Sequence, residues 1–167
     1  MTDLVATADP NSLVLAGLSI PHALPASAFH DLLGAPNRII AAGQPAPVGH
    51  RNNHIHIYDD LGIYINEHHY TYLLSSVTFV LDLARSSFPP LNPFCGRLEI
   101  GDLQIAQPFP ENDIVQTGLP FHAKLKGSWT LDGDSTHWIG LNSKRNLVHT
   151  VSVCVPHDPH DDSHRPT

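Results

Sequence analysis

Hydrophobic and polar residues alternate over most of the chain, which is the period of a β-strand that buries one face. In the first half this alternation predicts three antiparallel strands, at residues 53–58, 62–66 and 73–82. Residues 59–61 are expected to form the turn of the first hairpin, and residues 13–20 a shorter hairpin around Gly17. Antiparallel sheet is therefore the expected main structure.

A short helix is predicted between the small hairpin and the three strands. Ser27 suits the N-cap position, and Gly34 suits the position just after the last turn. Pro36 then prevents the helix from continuing. One helix set against several strands indicates an α+β fold.

The same order of elements recurs in the second half. A second short helix is predicted at residues 111–118, where Gly118-Leu119-Pro120 matches Gly34-Ala35-Pro36. The hydrophobic positions of the small hairpin recur as well: Leu98, Ile100, Leu103 and Ile105 match Leu13, Leu15, Leu18 and Ile20. We therefore predict an α+β fold of two tandem repeats, each a short helix packed on an antiparallel sheet, forming one curved sheet.

The repeats divide the chain into five predicted segments. These are an N-terminal arm (1–10), a first α+β repeat (11–82), a Pro-rich linker (83–96), a second α+β repeat (97–155) and a flexible His/Asp-rich tail (156–167).

The predicted sheet has one aliphatic face and one open polar face. The aliphatic set is Ile55, Ile57, Ile63, Ile65, Val77, Phe79 and Leu81. The open set includes His54, His56, Tyr58, Tyr64, Ser76 and Thr78. Matching the repeats places Trp138 on Tyr64 and Ser152 on Thr78, so each half offers an aromatic side chain among small polar ones. This combination is typical of protein interfaces, although the two aromatics could instead fill the seam between the repeats.

The histidines raise the question of a metal. His54 and His56 would lie on one face of one strand, but their counterparts in the second repeat are Ser128 and Thr130, so no ligand set is repeated. The sequence also contains no G-x-S-x-G, P-loop, G-x-G-x-x-G or H-E-x-x-H motif. We therefore expect no cofactor and no enzyme, and keep a small metal-dependent enzyme that uses His54 and His56 as the alternative.

Composition and charge narrow the classes of possible partner and the expected location in the cell. The formal charge is −7, without basic runs, which argues against nucleic acid and anionic membranes. No apolar stretch of about 18 residues is present, and the N-terminus lacks the pattern of a signal peptide, so a cytoplasmic protein is expected. Cys95 and Cys154 are far apart and are predicted to be small, at least half-buried side chains rather than a bridge.

The predicted partner-binding residues lie on the open face, its acidic turns and the loop after residue 66. They are Tyr58, Asp59, Asp60, Tyr64, Glu67, His68, Tyr70, Thr78, Asp132, Asp134, Trp138 and Ser152.

The repeat unit resembles known binding scaffolds. Its sequence runs from a short helix through Leu32-Leu33-Gly34-Ala35-Pro36 and the strand turn at residues 56–65 to the strand at residues 77–81. This unit is similar to the repeat of β-lactamase inhibitor protein and of the related outer-membrane assembly lipoproteins. It also resembles a bacterial family that carries a Tyr-Asp-Asp-Leu-Gly-Ile turn and is often linked to toxin–immunity loci. The resemblance implies a curved antiparallel sheet whose concave face binds a protein.

The expected function is that of a cytoplasmic immunity protein, which binds and neutralises a cognate bacterial toxin through the open sheet face. A scaffold or adaptor protein of a secretion apparatus is the other alternative, with the same fold and a different partner.

Overall fold

The computed structural model of the chain describes residues 4–20, 22–43, 53–133 and 138–155, and within these ranges the chain is mostly β-strand, in two sheets, with two short α-helices. The helices are α1 (Ala26–Leu33) and α2 (Asn112–Gln116), with a short 3-10 helix at Leu83–Arg85. The strands are β1 (Val5–Asp9), β2 (Ser12–Leu15), β3 (Leu18–Ile20), β4 (Arg38–Ile40), β5 (Asn53–Tyr58), β6 (Ile63–His68), β7 (Leu74–Val80), β8 (Arg97–Ile100), β9 (Leu103–Ile105), β10 (Phe109–Pro110), β11 (His122–Leu125), β12 (Ser128–Asp132), β13 (Trp138–Lys144) and β14 (Leu147–Cys154). Neither helix in the described ranges has the length and apolar character needed to cross a membrane.

The smaller sheet combines the two short hairpins in the order β3-β2-β1-β8-β9. Strand β1 lies at its centre, antiparallel to β2 and parallel to β8. Its small residues Ala6 and Ala8 face the core and are fully buried, whereas Val5 and Thr7 face outward. The predicted N-terminal arm thus contains a central strand. The prediction of one curved sheet is wrong, because β1 joins the two hairpins into a sheet of their own.

The larger sheet has nine strands in the order β11-β12-β13-β14-β7-β6-β5-β4, and β10 pairs with β14 at one end. All of its pairings are antiparallel. Strands β7 and β14 meet at its centre, where Thr78 lies directly opposite Ser152. The long sheet therefore contains residues from both halves of the chain in one continuous surface.

The main core lies between the small sheet, the helices and one face of the large sheet. Phe29 of α1 and Ile114 of α2 are fully buried in it, together with Leu13 of the small sheet and Phe79 of the large one. The helix α1 begins at Ala26 with Pro25 as its N-cap, so the predicted N-cap Ser27 lies inside the first turn. Gly34 ends the helix with φ 82°, a left-handed conformation that glycine adopts without strain.

The register of the β5–β6 hairpin decides which residues of β5 meet this core. Ile57 lies directly opposite Tyr64, and Tyr58 lies opposite Ile63. Residues that lie opposite each other in an antiparallel pair share a face. Ile57 therefore shares the face of Tyr64, whereas the prediction placed it with Ile63.

The faces of β5 are consequently reversed relative to the prediction. His54, His56 and Tyr58 lie on the side of α1, and Tyr58 joins the main core. Ile55 and Ile57 lie on the opposite side of the sheet. They are still buried, because a second apolar cluster covers them there; its members are Ile55, Ile57, Tyr64, Val80 and Phe88, with Ile40 and Leu83 packed against it.

The predicted Pro-rich linker packs tightly against the sheet. Phe88 and Phe94 are buried, and the Phe94 amide donates to the Val80 carbonyl at 2.7 Å. Asp59 anchors the same segment, since its carboxylate accepts from the Leu91 amide at 2.8 Å and pairs with Arg38 at 2.6 Å. The segment is therefore part of the folded body.

Candidate binding groove

The large sheet carries a groove on the face turned away from the main core. Its volume is about 640 Å³, and it extends across the junction of β7 and β14. Its floor consists of small hydroxyl and amide side chains: Asn66, Ser76, Thr78, Asn142, Thr150 and Ser152. A concave surface of this size with a polar floor is suited to binding a ligand or a segment of a partner protein.

Hydrogen bonds between neighbouring strands hold the floor in place. The hydroxyls of Thr78 and Ser152 lie 2.9 Å apart at the centre. On one side of them the Asn66 amide donates to the Ser76 hydroxyl at 2.7 Å. On the other side the Asn142 amide donates to the Thr150 hydroxyl at 3.3 Å. The floor is thus pre-formed on rigid strands before any ligand arrives.

Tyr64 and Trp138 both line the groove, in different environments. Tyr64 is 6% exposed and packs edge-to-face against Phe88, with ring centroids 5.5 Å apart. Trp138 is 36% exposed, and the Lys124 ammonium lies 6.0 Å from its ring centre. Trp138 is therefore the more accessible of the two aromatic groups.

The register corrects the match between these aromatics. Tyr64 lies opposite Thr78, whereas Ser152 lies opposite Gly140 and not opposite Trp138. The Trp138 ring nevertheless covers this position, since a Cβ on Gly140 would lie 2.5 Å from it. Trp138 thus stands two residues from the residue opposite Ser152, and alternation, which repeats every two residues, cannot distinguish such a shift.

Several predicted partner-binding residues are buried. Tyr58 is 2% exposed and faces the main core, and Asp59 is 3% exposed because Arg38 and the segment after residue 88 cover it. Thr78 is also buried, in the floor of the groove. Tyr58 and Asp59 are therefore structural residues, and the prediction that they contact a partner is corrected.

The other predicted partner-binding residues differ in exposure and in their distance from the groove. Ser152 is half-buried in the floor, and Asp60 and Asp132 are exposed. Asp132 lies 3.4 Å from His122. Asp134 lies outside the described residues. Glu67, His68 and Tyr70 belong to the end of β6 and the turn after it, where Tyr70 is 75% exposed.

Histidines form a hydrogen-bonded cluster on the α1 side of that same end. His54 Nδ1 accepts from the Ala42 amide at 3.2 Å, so its Nε2 is the donor to His69 Nδ1 at 3.0 Å when the ring is neutral. His56 Nε2 lies 2.9 Å from Glu67, and its Nδ1 lies 3.5 Å from His30 Nε2. Hydrogen bonds thus account for both nitrogens of each central histidine. Within the described ranges no three His, Cys, Asp or Glu side chains are arranged to hold a metal.

The structure adds four polar residues to one end of the groove that the sequence did not indicate. They are Arg85, Lys126, Ser143 and His149. Burial lowers the pKa of His149, and the charges of Arg85 and Lys144 lower it further. These residues come from the 3-10 helix, the turn between β11 and β12, β13 and β14, so no local pattern in the sequence brings them together.

The described part of the chain is thus a mostly β protein of two sheets and two short helices, with a pre-formed polar groove on the large sheet. The chain belongs to the family described as Domain of unknown function (DUF7738), whose profile matches residues 6–114. The match spans the small sheet from Ala6 onward, the strands β4 to β7 with Tyr64, and the 3-10 helix with Arg85. Comparisons with curated proteins and with solved structures give no match.

Proposed function

We propose that this protein is a cytoplasmic immunity protein that binds a cognate bacterial toxin in the groove and neutralises it. The groove itself is the observation that carries the proposal. It lies on a rigid sheet, its floor is held by hydrogen bonds between strands, and Trp138 offers an accessible aromatic ring at its wall. Aromatic residues framed by small polar ones are the usual anchors of protein interfaces.

The proposal includes a duplicated scaffold of two tandem repeats. In the small sheet Leu13 lies opposite Ile20, and Leu98 lies opposite Ile105, which is the correspondence expected from the sequence. The Thr78–Ser152 pair at the centre of the large sheet joins two residues that the repeats also match. Such an arrangement would place a local two-fold axis through the groove.

Two further pairs of contacts support the duplication. The Asn66–Ser76 hydrogen bond has a counterpart in Asn142–Thr150. The Arg38–Asp59 ion pair has a weaker counterpart in His122–Asp132, at 3.4 Å. Corresponding contacts at corresponding registers are expected when two halves descend from one unit.

The two cysteines support a reducing compartment. Both are free, Cys95 exposed and Cys154 half-buried, so the prediction that Cys95 is at least half-buried is wrong. Burial raises the pKa of Cys154 to about 12, which keeps its thiol protonated and unreactive. Free thiols of this kind are typical of proteins kept in the cytoplasm.

The alternative functions have less support. A metal-dependent enzyme would need His54 and His56, which lie on the α1 side of the sheet within hydrogen-bonded networks. A scaffold or adaptor protein of a secretion apparatus would use the same groove and would differ only in its partner.

The proposal is tested by expressing the chain in cells together with the toxin encoded beside its gene. We expect the cells to survive and the toxin to co-purify with the tagged chain. Death of the cells despite abundant folded chain would contradict the immunity function. Survival with a Trp138→Ala variant that no longer binds would show that protection does not depend on the groove.

Truncating the groove aromatics separates binding from stability. Trp138→Ala is expected to lose about 2 kcal/mol or more of partner binding with little loss of fold stability, because its ring is only partly buried. Tyr64→Ala should weaken partner binding and also lower the stability of the fold, since Tyr64 belongs to the second apolar cluster. Calorimetric titration and thermal melting measure the two quantities.

Tyr70→Ala is the matched control, because Tyr70 is 75% exposed in the turn after β6 and is not among the residues that line the groove. It should leave binding by the groove unchanged. Loss of binding in Tyr70→Ala with full binding in Trp138→Ala would move the interface to the turn at residues 68–72.

A further inference from the structure

The groove differs in charge from the rest of the molecule. The chain has 16 Asp and Glu against nine Lys and Arg. Among the described residues that line the groove, however, Arg85 and Lys126 are charged and no Asp or Glu is present. Lys144 lies beside this end as well, because its carbonyl accepts from Arg85. An acidic protein thus places its cations at one end of its candidate site.

Arg85 is fixed in position and keeps part of its donor capacity. Its Nη1 donates to the Lys144 carbonyl at 2.6 Å, and its Nε lies 3.2 Å from Asp82. These contacts leave the Nη2 group, whose two N–H donors suit a carboxylate. Asp82 offsets one positive charge, so the net positive charge at this end comes from Lys126 and Lys144.

Two buried polar atoms at the same end lack a partner within the described part of the chain: the Ser143 hydroxyl and His149 Nδ1. Leaving such an atom unpaired is unfavourable, and an acceptor bound beside it would offset that cost. Gly127 makes this arrangement possible, since its carbonyl accepts from the Ser143 amide at 2.7 Å and a Cβ there would lie 2.5 Å from the Ser143 carbonyl oxygen. The close approach brings the turn with Lys126 against Ser143.

We propose that the groove receives an acidic segment of the partner protein, with one of its carboxylates bound among Arg85, Lys126, Ser143 and His149. This deepens the proposed function and rests on it. A carboxylate accepts from the guanidinium, the ammonium and the hydroxyl, and from His149 Nδ1 when that nitrogen carries the proton. The remaining length of the groove, with its amide and hydroxyl floor, accommodates the backbone and neighbouring side chains of the segment.

The probe is a fluorescein-labelled octapeptide of alternating glutamate and glycine, compared with the same peptide containing glutamine. Anisotropy with the full chain should show the glutamate peptide binding at least about tenfold more tightly at low salt. Raising the salt from about 50 mM to about 300 mM should weaken it. Equal binding of the two peptides would overturn the proposal.

Two charge-removing variants test where the peptide carboxylate binds. Lys126→Gln, in an exposed turn, should weaken the glutamate peptide at least about threefold while leaving thermal melting unchanged. Arg97→Gln removes the same charge from the small sheet, where Arg97 pairs with Glu99, and should leave binding unchanged. Equal losses of peptide affinity in the two variants would indicate a general effect of charge and would overturn the proposed carboxylate site. Full displacement of the peptide by millimolar acetate would show a free-anion site and also overturn the proposal.

The outcome is separable from that of the toxin experiment. If the toxin is bound and neutralised but Lys126→Gln protects as well as wild type and the peptides bind equally, the acidic-segment proposal fails and the immunity function stands. If the glutamate peptide binds as expected and no toxin is neutralised, the charge preference of the groove stands and the immunity function fails.

Discussion

Replacing Phe79 with alanine is expected to lower the free energy of unfolding by about 3–5 kcal/mol, since a fully buried ring is lost and a cavity remains. Phe79 lies opposite Ile63 and Val151, and its ring centroid is 5.0 Å from that of Phe94 in an edge-to-face contact. Phe94 belongs to the segment after the 3-10 helix, so the truncation should also loosen that segment. Urea unfolding measures the change in free energy.

Ile57→Ala is the companion variant, because Ile57 is equally buried but lies in the second apolar cluster on the groove side. We expect a loss of about 2–5 kcal/mol together with weaker partner binding, since Tyr64 packs in the same cluster. Phe79→Ala should lower the free energy of unfolding, while the molecules that remain folded should bind the partner almost as tightly as wild type.

Val115→Ala is the control, because Val115 is 71% exposed on α2, and it should change the free energy of unfolding by about 0.5 kcal/mol or less. Unchanged urea midpoints for both buried variants would contradict the two-sided core.

Removing the guanidinium of Arg38 is expected to lower the free energy of unfolding by about 2–4 kcal/mol at neutral pH. The Asp59 carboxylate is 5% exposed, and Arg38 donates to both of its oxygens, at 2.6 and 2.9 Å. Arg38→Ala leaves this buried charge with the Leu91 amide alone. The expected loss is smaller than for a fully buried pair, because the Arg38 side chain is 47% exposed and solvent screens part of the interaction.

The loss should depend on pH in a defined direction. The hydrogen bonds from Arg38 lower the pKa of Asp59 in the folded state. The pair therefore stabilises the fold above the unfolded pKa of about 3.9, and this contribution is lost as the pH falls through the lowered folded value. The difference between wild type and Arg38→Ala should accordingly shrink below about pH 4 in urea unfolding.

Arg97→Ala is the control for this pair, because Arg97 pairs with Glu99 at 2.9 Å on the surface. Its loss should be about 1 kcal/mol or less. Equal losses for Arg38→Ala and Arg97→Ala, or a difference that grows in acid, would contradict a structural role for Asp59.

The sequence by itself determined the local elements of this protein. Alternation located the three central strands of the first half, and Gly34 marked the end of α1. The same patterns identified Tyr64, Thr78, Trp138 and Ser152 as residues of the open face, and all four line the groove. These features depend on neighbours in the chain, so a period of two or a single glycine is enough to indicate them.

Only the tertiary structure decided which faces and which distant segments meet. Alternation in β5 showed two sets of side chains, but the register Ile57–Tyr64 assigned them to their faces, and each set proved to contain buried residues. Asp59, in a turn, could not be known to be buried before the segment around Leu91 packed over it.

Strand β1 and the basic end of the groove are likewise formed by contacts between distant segments, which local sequence patterns do not predict. Parallel pairing of β1 with β8 joins residues some ninety positions apart into the small sheet. Four residues line the same end of the groove because β12, β13, β14 and β7 pair in that order: Arg85, Lys126, Ser143 and His149. Pairing between distant strands is chosen by the burial of whole faces and by closure of the loops between them, neither of which is written in any short stretch of sequence.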